Sequence, residues 1–565
     1  MQASWAFKKK TPNATTTTKT KGRQLTLAEA FRPRLQRLSQ DEGLDKKLKK
    51  AITAFFGHPD FREGQLGIVR AAVKNRDCVV ILPTGGGKSL CYQLPAVLSP
   101  GLTIVVSPLL SLIEDQVSTL LKNKFCGGIP SAHATSSTNE TVVKQIFHDL
   151  HRMAEGRVST TCSTIKLLYL TPERLAKSVT LRELLKSLYE KKLLSRIVVD
   201  EAHCISEWGH DFRPDYRKLG ELRRDFPDVP FMALTATATP TIADDIAHCL
   251  RMRPDAFVHR AEANRPNLVY GVADVSDLTE DECREEILKF VRKCDATYKG
   301  QNRSLNPGDR CTGIVYCMTQ ADAEDLADFL DGHGVKTSHY HAGMTQLQRR
   351  VVQTAWTDNK LDVVCATVAY GLGIDKPDVR YVLHAALSKS LSAYSQESGR
   401  CGRDRKPSTC HLFYKKRDLF KLQRIITGFG KHRRRGPKLQ RDLDALQQMA
   451  DYCEATKACR RQILNDHFQG SLGVPLTSGG PATGLKDCCD ICAAKLAKQQ
   501  PGGQQQRPRP PQATTTRPPL LNRPTIPRPP QPASKKRPRQ LGGGSSAGGW
   551  NNYNNMHDDD VMVIN

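Results

Sequence analysis

Short apolar runs recur along the middle of the chain, each followed by a longer stretch of mixed apolar and polar residues. The first series is CVVIL (78–82), TIVV (103–106), LLYL (167–170), RIVV (196–199) and FMAL (231–234). These runs are short, rich in β-branched residues and without polar alternation, so they read as strands buried on both faces of a parallel sheet. A second series follows: GIVY (313–316), DVVCA (362–366), VRYVLH (379–384) and CHLFY (410–414). Strand-then-helix alternation predicts an α/β class, and two series of this size predict two tandem parallel-sheet domains. Their boundary is expected near Asn264–Pro266, giving domains over 44–263 and 264–420. Ahead of them, Leu44, Leu48, Ile52, Phe55 and Phe56 recur at helical spacing and form one apolar face, and Gly57 ends that helix.

The pattern changes at both ends. Residues 421–497 read as a small helical domain closing on a cysteine cluster. Residues 1–43, rich in Thr, Lys and Gln, are expected to be a disordered tail. Residues 498–565 are Pro-, Gln- and Gly-rich and basic; they cannot pack a core and are expected to sample extended polyproline conformations.

Charge adds a partner class. Lys and Arg number 84 against 58 Asp and Glu, a net charge of +26 over 565 residues. Such a surplus favours a polyanion, because neutralising phosphates releases condensed counterions; a merely soluble basic protein has the same composition. The 18 cysteines do not read as a secreted disulfide framework, since most sit in apolar runs such as Cys78 in DCVVIL. No signal peptide pattern opens the chain, and no apolar run approaches the ~20 residues that span a bilayer. The expected setting is a reducing, intracellular one without a membrane partner.

Three segments carry chemistry. Pro83-Thr84-Gly85-Gly86-Gly87-Lys88-Ser89 follows a strand and opens a helix. Glycines allow backbone N–H groups to close round phosphates, Lys88 reaches the β and γ phosphates, and the Ser89 hydroxyl suits Mg²⁺. Position 82 is Leu, so the match is to the shorter TGxGK[ST] form. Asp200-Glu201-Ala202-His203 follows the strand RIVV. Asp200 at a strand end suits Mg²⁺, and Glu201 suits orienting and deprotonating an attacking water. Far downstream, Gln396-Glu397-Ser398-Gly399-Arg400-Cys401-Gly402-Arg403 sets Arg400 and Arg403 three apart, where an arginine from a second domain could stabilise charge on a γ-phosphate.

Taken in order, TGGGKS, SPLLSLIEDQV, TPE, DEAHCISEWGHDFRPDY, TATAT, YHAG, ATVAYGLGIDKPDVR and QESGRCGRD resemble the superfamily 2 helicases, and specifically the RecQ family, in a short architecture. DEAHCISEWGHDFRPDY is the most specific of these strings, and the resemblance covers roughly 44–495. It implies two RecA-like motor domains, ATP and Mg²⁺ as cofactors, and 3′→5′ unwinding of single-stranded or forked DNA in nuclear repair, recombination or replication. It also implies an adenine-sensing element: Phe61-Arg62-Glu63-Gly64-Gln65 matches the family's FRxxQ pattern, with Gln65 on the adenine edge and Arg62 on ring or phosphate. Many members carry an aromatic three residues before that Phe; this chain has His58.

The same resemblance makes the segment from His203 to Tyr216 a DNA-sensing loop, with Trp208 and Phe212 offering stacking faces and Arg213 a phosphate or cation–π contact. Packing of Phe212 or Tyr216 between domains is the alternative. Ser107 in Ser107-Pro108-Leu109, Thr171 in Thr171-Pro172-Glu173, Thr235-Ala236-Thr237, Tyr340-His341-Ala342-Gly343 and Thr367 with Gly371, Gly373 and Asp375 resemble the family's strand-gripping and coupling elements, though each Ser or Thr also suits an ordinary cap. Cys401 stands where Ala is usual, and Arg405 where Gly is usual.

Cys459, Cys488, Cys489 and Cys492 resemble the family's zinc ligands, with Cys489 and Cys492 a CxxC half-site. Cys488 is directly adjacent to that pair, so Cys453 and His467 stand as alternative fourth ligands. In the tails, 534–539 reads as a nuclear import signal or DNA patch. The stretch 558–564 resembles a SUMO-interacting strand, and 24–31 faintly resembles a sliding-clamp peptide. The rival to a motor is a DNA-annealing scaffold, or a translocase that does not unwind.

Overall fold

The computed structural model describes residues 41–156, 165–206, 213–261, 264–301, 311–368, 376–428, 435–469 and 488–499. The tail segments named above, together with Trp208, Phe212, Gly371, Gly373 and Asp375, lie outside these residues.

Two all-parallel sheets carry the fold. The first contains β1 (Cys78–Ile81), β2 (Leu102–Val106), β3 (Ser131–Ala134), β4 (Leu167–Leu170), β5 (Leu194–Val199), β6 (Phe231–Thr235) and β7 (Phe257–Arg260), in the order β3-β4-β2-β5-β6-β1-β7. The second contains β8 (Leu268–Asp274), β9 (Thr312–Tyr316), β10 (Thr337–Tyr340), β11 (Val363–Ala366), β12 (Val379–His384) and β13 (Ser408–Tyr414), in the order β10-β11-β9-β12-β13-β8. Each sheet is covered by hydrophobic clusters on both faces, as parallel pairing requires.

Every strand expected from an apolar run is present. Four more strands are present among the described residues, β3, β7, β10 and β8, and they are the four sheet edges. Their sequences, SAHA, FVHR, TSHY and LVYGVAD, hold polar residues because one side of an edge strand faces solvent or a loop.

The first helix runs Asp41–Phe56. Leu44, Leu48, Ile52 and Phe55 are buried, and Gly57 closes it at φ +69° with its N–H on the Thr53 carbonyl. The 435–499 region contributes helices Pro437–Glu454, Arg460–Gln469 and Asp490–Gln499, which pack on the second sheet through Leu446, Met449, Tyr452, Leu464 and Ile491. It also extends that sheet. Cys489 forms a parallel bridge with Tyr270 of edge strand β8; Tyr270 N–H donates to the Cys488 carbonyl and Val272 N–H to Asp490 Oδ2 at 3.0 Å.

Candidate active site and cysteine cluster

Parallel strands bring their carboxyl ends to one rim, and the candidate residues gather there. β1 ends at the glycine turn before helix Lys88–Leu98; β5 ends at Asp200; β6, between them, ends at Thr235. Gly85 and Gly87 hold φ of +77° and +81°, which turns the chain into the helix at little steric cost.

The adenine-sensing residues of the expectation are engaged with this turn. Gln65 is 1% exposed; its Oε1 accepts from Arg62 N–H at 2.8 Å, and its Nε2 donates to the Gly87 and Gly86 carbonyls at 3.0 and 3.2 Å. Arg62 Nη1 donates to the Gly85 carbonyl. Lys88 Nζ lies 3.5 Å from the Leu82 carbonyl.

Asp200 is buried. Desolvation, with Glu201 beside it, pushes its carboxyl up to about 7, and Lys88 offsets only part of this. Glu201 adopts φ +48°, a left-handed conformation uncommon for a side-chain-bearing residue and a form of strain that collects at working sites. Its Oε2 lies 3.3 Å from His203 Nδ1, which also meets Thr235 Oγ1 at 2.9 Å. Thr235 Oγ1 in turn accepts from Thr237 N–H at 3.2 Å. His203 thus stands between Glu201, at ion-pair distance, and Thr235, to which it is hydrogen-bonded. Tyr216 is buried in the first domain's own core rather than between domains, and its hydroxyl donates to the Asp200 carbonyl at 3.3 Å. Arg213, the described end of the aromatic loop, donates to the Pro108 carbonyl at 3.2 Å.

The second domain reaches the same rim. A Cβ placed on Gly85 would stand 3.5 Å from Arg403 Cγ, and one on Gly399 would stand 3.2 Å from Thr84 Oγ1. Arg403 therefore lies on the glycine turn, with no room for a side chain at Gly399. Arg400 is placed differently: it is 4% exposed, inside the second domain beside Glu397 and Tyr316. Burial works against the Glu397 charge, but His384 Nε2 at 2.9 Å, Ser388 Oγ at 2.6 Å and Arg400 outweigh it, and the carboxyl is held below its ordinary range. The two arginines expected to act alike are thus divided, Arg403 against the turn and Arg400 in a buried network. Arg405 holds φ +66°, which explains why glycine is usual there. Cys401 is fully buried, its Sγ 3.6 Å from the Val379 and Thr409 carbonyls.

Arg265, between the sheets, carried no signal in the sequence. Its Nη1 donates to the carbonyls of Thr84 and Gly399, both at 3.0 Å, and its Nη2 to those of Cys401 and Gly402 at 2.9 and 2.6 Å. One guanidinium ties the glycine turn of the first domain to the arginine segment of the second.

The residues resembling strand-gripping elements are mostly inward. Ser107 is 2% exposed, and the Thr171 hydroxyl caps helix Pro172–Lys177 by accepting from Arg174 N–H at 3.3 Å. Thr367 is buried with its N–H on the Tyr340 carbonyl.

The Sγ atoms of Cys459, Cys488, Cys489 and Cys492 all lie within 4.8 Å of one another, Cys459 being 3.6 Å from Cys488 and 3.9 Å from Cys489. Four thiolates round a tetrahedral zinc, with Zn–S of about 2.3 Å, sit about 3.8 Å apart, so the cluster fits that ion. Burial and the neighbouring thiols push Cys488 up to about 11; the contact with Cys459 and burial push Cys489 up to about 12, and Cys459 is lowered by that same contact. A divalent cation would reverse the two upward shifts. Cys453 lies in the core outside the cluster, and His467 Nε2 is 3.0 Å from Ser392 Oγ.

Family models match the chain in the same order as these sites. "DEAD/DEAH box helicase" covers 62–246, "Helicase conserved C-terminal domain" covers 293–405, and "RecQ zinc-binding" covers 416–493. The chain belongs to the RecQ family. Among RecQ relatives, the ATP-dependent DNA helicase Q-like 4B of Arabidopsis thaliana is 38% identical over 81% of this chain and 37% of its own length. The RecQ-like DNA helicase BLM of Xenopus laevis is 41% identical over 75% of this chain and 29% of its own. The putative ATP-dependent DNA helicase Q1 of Caenorhabditis elegans is 41% identical over 74% of this chain and 61% of its own. This RecQ chain therefore spans from under a third to about three fifths of the length of these relatives. Among solved structures, the DUF1998 helicase MrfA bound to DNA and AMPPNP aligns with a TM-score of 0.51 at 18% identity, over 66% of this chain and 51% of that one. At that identity the likeness concerns the fold alone. Among the described residues no helix is long and apolar enough to cross a membrane.

Proposed function

We propose that this RecQ chain is an ATP-driven DNA helicase, working 3′→5′ on single-stranded or forked DNA in nuclear repair, recombination or replication. The observation that carries the motor reading is the composite site. Thr84 and the glycine turn come from one sheet domain, Arg403 from the other, and Arg265 bonds to both. A nucleotide bound there touches both domains, so its hydrolysis changes how they associate.

The chain's own residues divide the work. Thr84 to Gly87 present backbone donors to the phosphates, and Lys88 neutralises the β and γ groups. Gln65 and Arg62 leave the glycine-turn carbonyls for the adenine, so base binding frees the turn that receives the phosphates. Ser89 and the buried Asp200 suit a hard divalent cation, and Mg²⁺ there would neutralise developing phosphate charge. Glu201 orients and deprotonates the attacking water, with His203 and Thr235 carrying its state toward Thr237. Arg403 stabilises charge on the γ-phosphate, while Arg400 positions Glu397 and the strand ends round it. Cys459, Cys488, Cys489 and Cys492 would hold a zinc ion in a structural role, since four protein ligands leave no open position. Arg213, with Trp208 and Phe212, forms the loop that senses single-stranded DNA. SUMO or a sliding clamp as partners of the tails remain separate proposals, tested by binding after deletion of 558–565 and by a 20–35 peptide.

The test is ATP hydrolysis with and without single-stranded DNA, beside Lys88→Ala, with forked-duplex unwinding in the same reactions. DNA-stimulated hydrolysis and unwinding, both lost in the variant, are expected. Hydrolysis without unwinding would make the protein a translocase. No DNA-stimulated hydrolysis from folded, zinc-loaded protein would leave an annealing scaffold.

A further inference from the structure

The second domain carries a cluster of ligand-type side chains that the nucleotide and cysteine sites do not use. Glu324 lies on helix Gln320–Gly332, His339 on edge strand β10, and His341 just past its end. Residues two apart on a strand project to the same face, so both imidazoles point the same way, toward the helix that packs on β10. Their rings stack at 5.2 Å with an interplanar angle of 19°. One donor atom from each of Glu324, His339 and His341 lies within 4.8 Å of the others.

His341 gives the second observation. It is 4% exposed, yet neither Nδ1 nor Nε2 has a hydrogen-bond partner. Glu324 Oε1 is 2.8 Å from Nε2, which is an ion-pair distance, but the two are not aligned as donor and acceptor. A buried imidazole left without a hydrogen bond is costly. A lone pair and a carboxylate that converge without a proton line between them suit a shared cation. Gly343 lies on the Nδ1 side of the ring, where a Cβ would stand 2.3 Å from Gln320 Oε1 and 3.2 Å from His341 Nδ1, and Nε2 is the nitrogen turned to Glu324.

We propose that Glu324, His339 and His341 form a second metal site, for a divalent ion of the zinc, cobalt or nickel class. Two imidazoles and one carboxylate are the donors those ions prefer over Mg²⁺ or Ca²⁺. Three protein ligands leave coordination open for water, and the half-exposed Glu324 makes the ion exchangeable, unlike one held by four thiolates. Occupancy would pin edge strand β10 and the Tyr340–Gly343 turn to helix Gln320–Gly332, stiffening a segment that otherwise rests on one strand neighbour, β11.

The test uses untagged full-length protein holding one equivalent of zinc after dialysis against a weak chelator, titrated with Co²⁺. One further equivalent should bind with visible ligand-field bands and no thiolate-to-metal charge-transfer band, and it should raise the melting temperature. His339→Gln and Glu324→Gln, both at surface-accessible positions, should each remove that equivalent while keeping the first zinc and the fold by circular dichroism. Cobalt binding unchanged in both variants, absence of a second equivalent in the parent, or a spectrum showing only thiolate ligation would overturn the proposal.

Discussion

Arg265 donates a hydrogen bond to the carbonyl of Thr84, 3.0 Å away, while the same nitrogen donates to Gly399 of the other domain. The contact uses only backbone acceptors on both sides, so it reads the position of the glycine turn rather than any side chain. It makes the segment between the sheets part of the proposed nucleotide site.

Arg265→Ala should lower DNA-stimulated ATP hydrolysis by about tenfold or more, since a hydrogen bond to a charged group contributes about 1.5–3 kcal/mol. Arg265→Lys should not restore it, because an ammonium cannot span carbonyls in a planar fork. Steady-state hydrolysis beside nucleotide binding by fluorescence separates the effects: kcat should fall much more than affinity. Equal loss of both would make Arg265 a folding residue only.

Gly399→Ala places a methyl group 2.8 Å from the Ser395 carbonyl oxygen and 3.2 Å from Thr84 Cβ and Oγ1. The expected outcome, read by steady-state hydrolysis and thermal melts, is a kcat lowered by about tenfold to a hundredfold through misplacement of the glycine turn, together with a lower melting temperature from the clash with the Ser395 carbonyl.

Asp200 predicts a pH-dependent stability change. Its folded carboxyl is raised by burial to about 7, well above its unfolded value. Ionising it in the nucleotide-free protein therefore costs stability, a cost that builds as pH rises from the ordinary carboxylate range and is complete above about 7. Asp200→Asn should stabilise the nucleotide-free protein by about 1–3 kcal/mol at pH 8 and by clearly less at pH 5.5, while abolishing hydrolysis. Thermal melts at the two pH values without Mg²⁺ check this; a gain that does not depend on pH would contradict it.

Cys488→Ser should remove zinc as completely as Cys492→Ser, because Cys488 Sγ stands 3.6 Å from Cys459 Sγ. Cys453→Ser should keep the metal. Metal content by mass spectrometry of the purified variants decides between them.

What could be read in the sequence follows from which contacts are local. Central strands such as CVVIL and VRYVLH are buried on both faces and announce themselves as apolar runs. TSHY and FVHR do not, because an edge strand has neighbours on one side only and keeps polar residues. Lys88, Asp200 and Arg403 belong to short strings whose residue types state their chemistry. Arg265 acts on backbone carbonyls, which any sequence supplies, so nothing in its surroundings marks it. Arg400 and Arg403 look equivalent in a string, and only the helix Leu391–Ser398 and the turn after it send one inward and the other across the cleft. The adjacency of Cys488 and Cys489 argued against both serving one site, yet chain partners on β8 hold their backbones so that both sulfurs converge.

The pairing of Tyr270 with Cys488 and Cys489 bears on how this protein would fail. Strand β8 ends its sheet, and the residues that cover its open side are the same ones whose sulfurs converge. Oxidation or chelation at those sulfurs would uncover a row of unsatisfied peptide groups as well as loosen a helix. The expected lesion is self-association through a bared strand, a gain of stickiness that dilution slows and that restoring the metal early, before strands pair, prevents.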